Sequence, residues 1–327
     1  MRFAYTDDQL AFADAVDHLL AVECSPAALR AAGSAPTGQL DRRLWNHLLD
    51  TGVLTMLVAE AEDGLGLDAT WTVPTLVETG RHGVPHPVVD TLCVAAPLGV
   101  TGMVSSDLGG PYAPCAADAD RLISHIDGRL VVFDPDEVVL DHVTTVDPIR
   151  RAAAITPLGA GAVLSDDPGQ IGHLIDAATV GVAAQLCGLA ERMIDLTSAY
   201  VKERHQFGRP IGSFQAVKHL LADALLRLEF ARPAVDRAAH TIAHGPASAT
   251  ARDVSMAKTL AADAAEFSAR VALQCHGAIG YTTEHDLQLY MKRAWALAHT
   301  WGDQSFHYAR IETSLRDSRD VDSPTRT

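Results

Sequence analysis

The stretch Arg204-His205-Gln206-Phe207-Gly208-Arg209-Pro210-Ile211 decides the reading of this chain, together with Phe214-Gln215 and the later run Gln274-Cys275-His276-Gly277-Ala278-Ile279-Gly280-Tyr281. Read alone, Gly208 and Pro210 are helix-stop signals, and Phe207 is an apolar contact near a cap. Their surroundings say more. Before them, Val182, Leu186, Leu189, Met193, Leu196 and Tyr200 recur at steps of four and three. After them, Val217, Leu221, Ala224, Leu228, Ala231, Val235, Ala238 and Ile242 do the same, until His244-Gly245-Pro246 closes the helix. Such a rhythm lays one helix face along a neighbour. A third helix is predicted from about Ala249 to Cys275 and a fourth from about His285 to Ile311, with a frayed charged tail after Ser314. Four long amphipathic helices with short connections read as an antiparallel bundle over residues 168–327.

Towards the amino terminus the signals are shorter. Thr6 and Gln9 have capping-box spacing, and Leu10, Ala13, Val16, Leu19 and Leu20 then form one apolar face. Pro26 ends or interrupts that helix. A second helix is predicted near Leu40 to Asp50, stopping at Thr51-Gly52, and another from about Thr72 to Arg81 before the break at Pro85-His86-Pro87. Residues 1–99 therefore read as a helical domain. Residues 100–167 read as a small antiparallel β domain, in which Gly, Pro and Asp punctuate runs such as Leu130-Val131-Val132-Phe133 and Glu137-Val138-Val139-Leu140. The fold class is mainly α.

With 327 residues and 48% hydrophobic content, the chain can bury a large core. Its net charge of -15 and scattered Lys and Arg argue against nucleic-acid binding, which needs a basic face. No apolar run approaches the roughly 20 residues of a membrane span. The opening Met1-Arg2-Phe3-Ala4-Tyr5-Thr6-Asp7-Asp8 is unlike a signal peptide. Cys24, Cys93, Cys115, Cys187 and Cys275 form no CxxC pair and no zinc spacing, so a reducing cytoplasm is expected. His276, His299 and His307 have no partner at metal or dyad spacing, and no metal is expected.

Taken together, Tyr200-x3-Arg204-x-Gln206-Phe207-Gly208-x-Pro210-Ile211-x2-Phe214-Gln215 and Gln274-x2-Gly277-x2-Gly280-Tyr281 closely resemble the carboxy-terminal half of the acyl-CoA dehydrogenases. Val58-Ala59-Glu60 with Gly64-Leu65-Gly66-Leu67 resembles that family's amino-terminal Pro-Glu-x-x-Gly-Gly-x-Gly run with one glycine missing. The resemblance implies FAD held between subunits. Arg204 would reach the pyrophosphate of the neighbour's FAD, for which a planar, permanently charged fork is suited. Gln206 and Phe207 match positions contacting the same cofactor, and Gln215 and Gln274 match glutamines near its adenosine half. Gly277 matches a glycine that lets the backbone approach. The family's next glycine is here Ala278, which adds one methyl.

Three departures accompany the resemblance. Desaturation of an acyl-CoA needs a base for the α-proton while FAD takes a hydride from the β-carbon. Counting from Tyr290-Met291-Lys292-Arg293-Ala294 places Trp301-Gly302-Asp303 where many members carry a glutamate. Trp301 cannot abstract a proton and is expected to fill the substrate's space. Asp303 is a weak candidate base that reads better as a capping or surface carboxylate. In members with the base on the first bundle helix, the position falls on Ala178; nearby Asp176 reads as a solvated carboxylate. Finally, residues 100–167 are too short for a full β domain and lack the family's Thr-Glu-Pro-like and Trp-Ile-Ser/Thr-like flavin segments.

The resemblance therefore implies a partner subunit of an α2β2 acyl-CoA dehydrogenase, similar to those of actinobacterial steroid catabolism. A full-length subunit would supply the base, most acyl-CoA contacts and the rest of the shared FAD site. Two alternatives stay open: a self-sufficient dehydrogenase using Asp303 or another carboxylate, and a non-catalytic scaffold without FAD contact.

Overall fold

A computed structural model describes residues 4–34 and 40–322; Met1–Phe3 of the quoted amino terminus lie outside them. The chain is mostly helical. Helix α1 (Asp7–Glu23) starts at the Thr6/Gln9 capping box, in which both reciprocal hydrogen bonds form. Ala13, Val16 and Leu20 of its apolar face are buried, whereas Leu10 is exposed. Pro26 opens α2 (Pro26–Ser34) instead of merely ending α1; its missing N–H is one that a first helical turn leaves unused. Helix α3 (Arg43–Asp50) ends two residues before Gly52, which takes φ +79. Helix α4 (Ala69–Arg81) is capped by Asp68. A further helical segment at 88–98, largely π-helical, was not anticipated. Residues 88–96 are all buried, so no polar face marks a period there.

The middle region holds β1 (Val104–Ser106), β2 (Arg121–Ile126), β3 (Arg129–Phe133), β4 (Val138–His142), β5 (Ala153–Pro157) and β6 (Ala162–Ser165). One sheet has the order β1-β2-β3-β6, and β4 and β5 pair separately. The expectation of an antiparallel region needs one correction, because β1 and β2 run parallel, Val104 opposite Arg121. Leu122, Val131, Phe133, Val138 and Ala153 form its small core. Buried ion pairs tie it to the helices: Arg293 pairs with Asp147 and also donates to the Val84 carbonyl at 2.8 Å.

The carboxy-terminal part contains α5 (Pro168–Glu203), a hairpin of β7 (His205–Gln206) and β8 (Arg209–Pro210), α6 (Gln215–His244), α7 (Ala247–His276), α8 (Leu287–Ala298) and α9 (Gln304–Asp322). The four-three rhythm is what packs it: Val182, Leu186, Leu189 and Met193 of α5 and Ala224, Leu228, Ala231, Val235 and Ala238 of α6 are buried. Helix α5 is long and apolar enough to cross a membrane, but 83% of its most apolar window is buried in this core. The expected fourth helix is instead two. Trp301 at φ 56 and Gly302 at φ 91 are consecutive left-handed residues that stop α8, and Asp303 restarts the chain as α9. Helix α9 also runs past Ser314 to Asp322, where a frayed tail was expected.

Helices α4 and α5 touch backbone to backbone. A Cβ on Gly188 would lie 1.9 Å from the Val77 carbonyl oxygen, and one on Gly80 would lie 2.1 Å from that of Gln185. Neither neighbour is a side chain that can swing away. Gly188→Ala should therefore destabilise the fold by about 3 kcal/mol, the upper end for overpacking, despite alanine's better helix propensity. Urea unfolding checks this; an unchanged or raised midpoint would show that the two helices are not in such contact.

Candidate functional site

Two places in the fold carry the residues singled out in the sequence. The first is the end of the bundle where α5 and α7 finish and α6 begins. Arg204 is the C-cap of α5; its N–H donates to Tyr200 O, and its carbonyl accepts from Ile211 N at 2.8 Å. That bond closes the β7–β8 hairpin, whose two turn residues, Phe207 (φ 53) and Gly208 (φ 78), are both left-handed. This is the type I′ turn of tight hairpins, comfortable for Gly208 and strained for Phe207. Phe207 is 89% exposed, with its ring edge-on to Phe214 at 6.0 Å. Arg209 lies over the Phe214 ring at 4.2 Å. A strained backbone presenting an exposed aromatic ring does nothing for the isolated chain's core.

Gln215 opens α6 and Gln274 lies in the last turn of α7. Tyr200 stacks on His276 at 4.3 Å, and Val201, Ala224, Val271 and Cys275 share one small core, so the three helix ends are knit together. Arg204, Gln206, Gln215 and Gln274 are all exposed, and among the described residues none of their side chains makes a hydrogen bond or ion pair. Gly277 follows at φ 62 with open space where a Cβ would stand. Ala278 beside it is exposed, so its methyl crowds nothing in this chain.

The second place is a cavity of about 40 Å³ between α5, α8, the 85–90 segment and the start of the β region. A buried water needs roughly 10–15 Å³ on this scale, so there is room for about three. Trp301 closes it. Its N–H donates to Gly109 O at 2.7 Å, and its indole lies so close that a Cβ on Gly109 would meet Nε1 at 2.7 Å. The loop that carries Trp301 is held from behind. Lys258 donates to Ala298 O at 2.8 Å and Gly302 O at 3.2 Å. His307 contacts Trp301 O through Nε2 at 3.0 Å and Ser255 Oγ through Nδ1 at 3.1 Å. The carbonyl can only accept, so Nε2 carries the proton and Nδ1 accepts from the serine. Neither Lys258 nor Ser255 was foreseen as part of this site, because the loop they serve lies far from them in sequence.

The remaining candidates are placed as follows. Asp303 is exposed, and its Oδ1 accepts from Phe306 N at 2.8 Å as the first-turn cap of α9. Ala178 is fully buried. Asp176, expected to be solvated, is instead buried and paired with Arg310, whose Nη1 is 2.6 Å from its Oδ1. Ser106 Oγ at the start of the β region donates to the carboxylate of the buried Asp90. Burial pushes Asp90 up to about 6.

Electrostatics make the loop lock testable. Burial, helped by the Lys258 charge, pushes His307 down to about 4 from its usual 6.5. A histidine held neutral in the fold protonates more readily when unfolded. Its contribution is thus complete above pH 6.5 and lost as pH falls to about 4. The urea midpoint should drop across that window, and His307→Gln should flatten the drop. An equally steep profile in the variant would show that other groups carry it.

Residues 171–315 match the family described as acyl-CoA dehydrogenase, C-terminal domain. The chain is 32% identical over 315 residues to acyl-CoA dehydrogenase IpdE2 of Mycolicibacterium smegmatis, covering 92% of this chain and 97% of that one. Among solved structures, a variant of the Tcur3481–Tcur3483 steroid ACAD superposes with a TM-score of 0.87 at 23% identity, over 96% of this chain and 99% of that one. The ChsE4–ChsE5 complex from Mycobacterium tuberculosis does so with a TM-score of 0.84 at 22% identity, over 99% and 100%. The structural likenesses speak to the fold, and the likeness to IpdE2 spans nearly all of both chains: this chain belongs to the acyl-CoA dehydrogenase family.

Proposed function

We propose that this chain is the partner subunit of an α2β2 acyl-CoA dehydrogenase and completes an FAD site whose base and flavin-ring contacts belong to a full-length subunit. The observation that carries the reading is a contrast between the two sites. At the bundle end, an arginine fork and three amides face solvent without a partner among the described residues. In the interior, where the chain would hold its own flavin ring and acyl thioester, about 40 Å³ remains behind Trp301. Ligand pockets usually measure roughly 300–1,000 Å³.

The bundle end fits part of a dinucleotide. Arg204 would take the pyrophosphate bidentately, and Gln206, Gln215 and Gln274 can donate and accept around the adenosine half. Phe207 would cover an apolar edge, and the open cradle at Gly277, with Ala278 beside it, would admit the cofactor close to the backbone. FAD bound there supplies hydride acceptance from the acyl β-carbon. The interior does not fit the flavin ring, and Asp303 is engaged at a helix start outside the cavity. Two solved relatives in fold are two-component proteins by name, and one is called a steroid ACAD. A steroid-derived acyl-CoA, bound mainly by the partner, is therefore the substrate class proposed. Five free, buried cysteines agree with a reducing cytoplasm.

In the assembled complex, Arg204→Ala should weaken FAD retention by about tenfold to a hundredfold, since a charge-assisted contact is worth about 1.5–3 kcal/mol. Arg204→Lys should recover only part of this, because a lysine keeps the charge and loses the fork. Flavin content after dialysis reads the effect. Unchanged flavin in Arg204→Ala would contradict the shared site and favour a scaffold role.

A further inference from the structure

Helix α1 crosses α4 at a cluster that neither site uses. Asp17 comes from α1; Glu78 and His82 come from α4 and its C-cap, four residues apart and so on one face. One ligand-type atom from each of the three lies within 4.8 Å of the others. His82 Nε2 is 2.7 Å from Asp17 Oδ1, and Glu78 Oε2 is buried and accepts no hydrogen bond among the described residues. Burial and the facing Asp17 charge push Glu78 up to about 7. Arg81 is shared between two carboxylates, Nη1 standing 3.8 Å from Glu78 and Nη2 3.3 Å from Asp195.

We propose that Asp17, Glu78 and His82 form a divalent-cation site that clamps α1 onto α4, with zinc as the metal its donors suit. Imidazole with two carboxylates is a mixed N,O set, and zinc takes such ligands at about 2.0–2.2 Å in tetrahedral array. Tightening the widest separation to that geometry takes side-chain movement of about an ångström. Asp17 is about one-third exposed (35% of its side chain), leaving an entry path and a fourth position for water. The direct His82–Asp17 hydrogen bond gives way to metal bonds on binding. Arg81 and Arg192 lie near His82, so both carboxylate charges are needed to hold a cation against them. Glu78-x3-His82 is visible in the sequence, but only the fold brings Asp17 to it.

The test uses the full-length chain stripped of metal and titrated with Zn²⁺, with Mg²⁺ as control, followed by calorimetry and thermal unfolding. The expected result is one Zn²⁺ per chain with a raised Tm, and binding weakened at least tenfold by Glu78→Gln and by His82→Gln. Zn²⁺ should also shield His82 of the unaltered chain from histidine-directed acylation, a readout that does not depend on how the variants fold. No uptake by the unaltered chain overturns the proposal. So does uptake that survives both substitutions or leaves His82 unshielded, which would assign the metal to others of the chain's 15 histidines.

Discussion

The contact between Trp301 and Gly109 organises the interior. It joins the bundle to the start of the β region, and only a glycine lets the indole approach so closely. The contact is enforced from the bundle side, because Lys258 and His307 capture the carbonyls of the loop that carries Trp301. The Lys258 amine sits at the carbonyl end of α8, where the helix dipole favours its charged form while burial pushes it down to about 7. The break between α8 and α9 follows from the same arrangement. A straight helix could not point the indole into the cavity, whereas two left-handed residues can.

The bundle's outer end behaves in the opposite way. Short connections and antiparallel helices bring the end of α5, the start of α6 and the end of α7 to one place, and the stacked Tyr200 and His276 hold them there. Among the described residues the polar side chains presented there have no partners, and a strained hairpin holds Phe207 in water. Such a surface is what a second molecule would use. On the proposed reading, the closed interior and the open exterior belong together, the chain giving a site and keeping none.

Legibility in the sequence followed locality. The Thr6 capping box, the Gly52 stop and the periodic faces of α5, α6 and α7 are set by residues within a few turns, and each could be read. The hairpin motif is equally local, so Arg204, Gln206, Phe207, Gln215, Gln274 and Gly277 could be named from resemblance. The break at Trp301 was missed because a single glycine, Gly302, interrupts an otherwise continuous apolar pattern. The parallel pairing of β1 was missed because three residues carry no directional signal. The pairs that close the interior join distant positions, Asp176 to Arg310 across 134 residues and Asp147 to Arg293 across 146, and no short-range pattern announces them.

The central claim is that this chain shares a flavin site and has none of its own, and flavin stoichiometry tests it most directly. The chain is purified alone and then with a full-length acyl-CoA dehydrogenase subunit with which it forms a stable complex, and FAD is counted per chain by absorbance after denaturation. The account predicts a colourless lone chain and a heterotetramer with about two FAD per four chains, half the loading of a tetramer in which every subunit keeps its own flavin. One FAD per chain in the lone protein would contradict it and would require the cavity behind Trp301 to open.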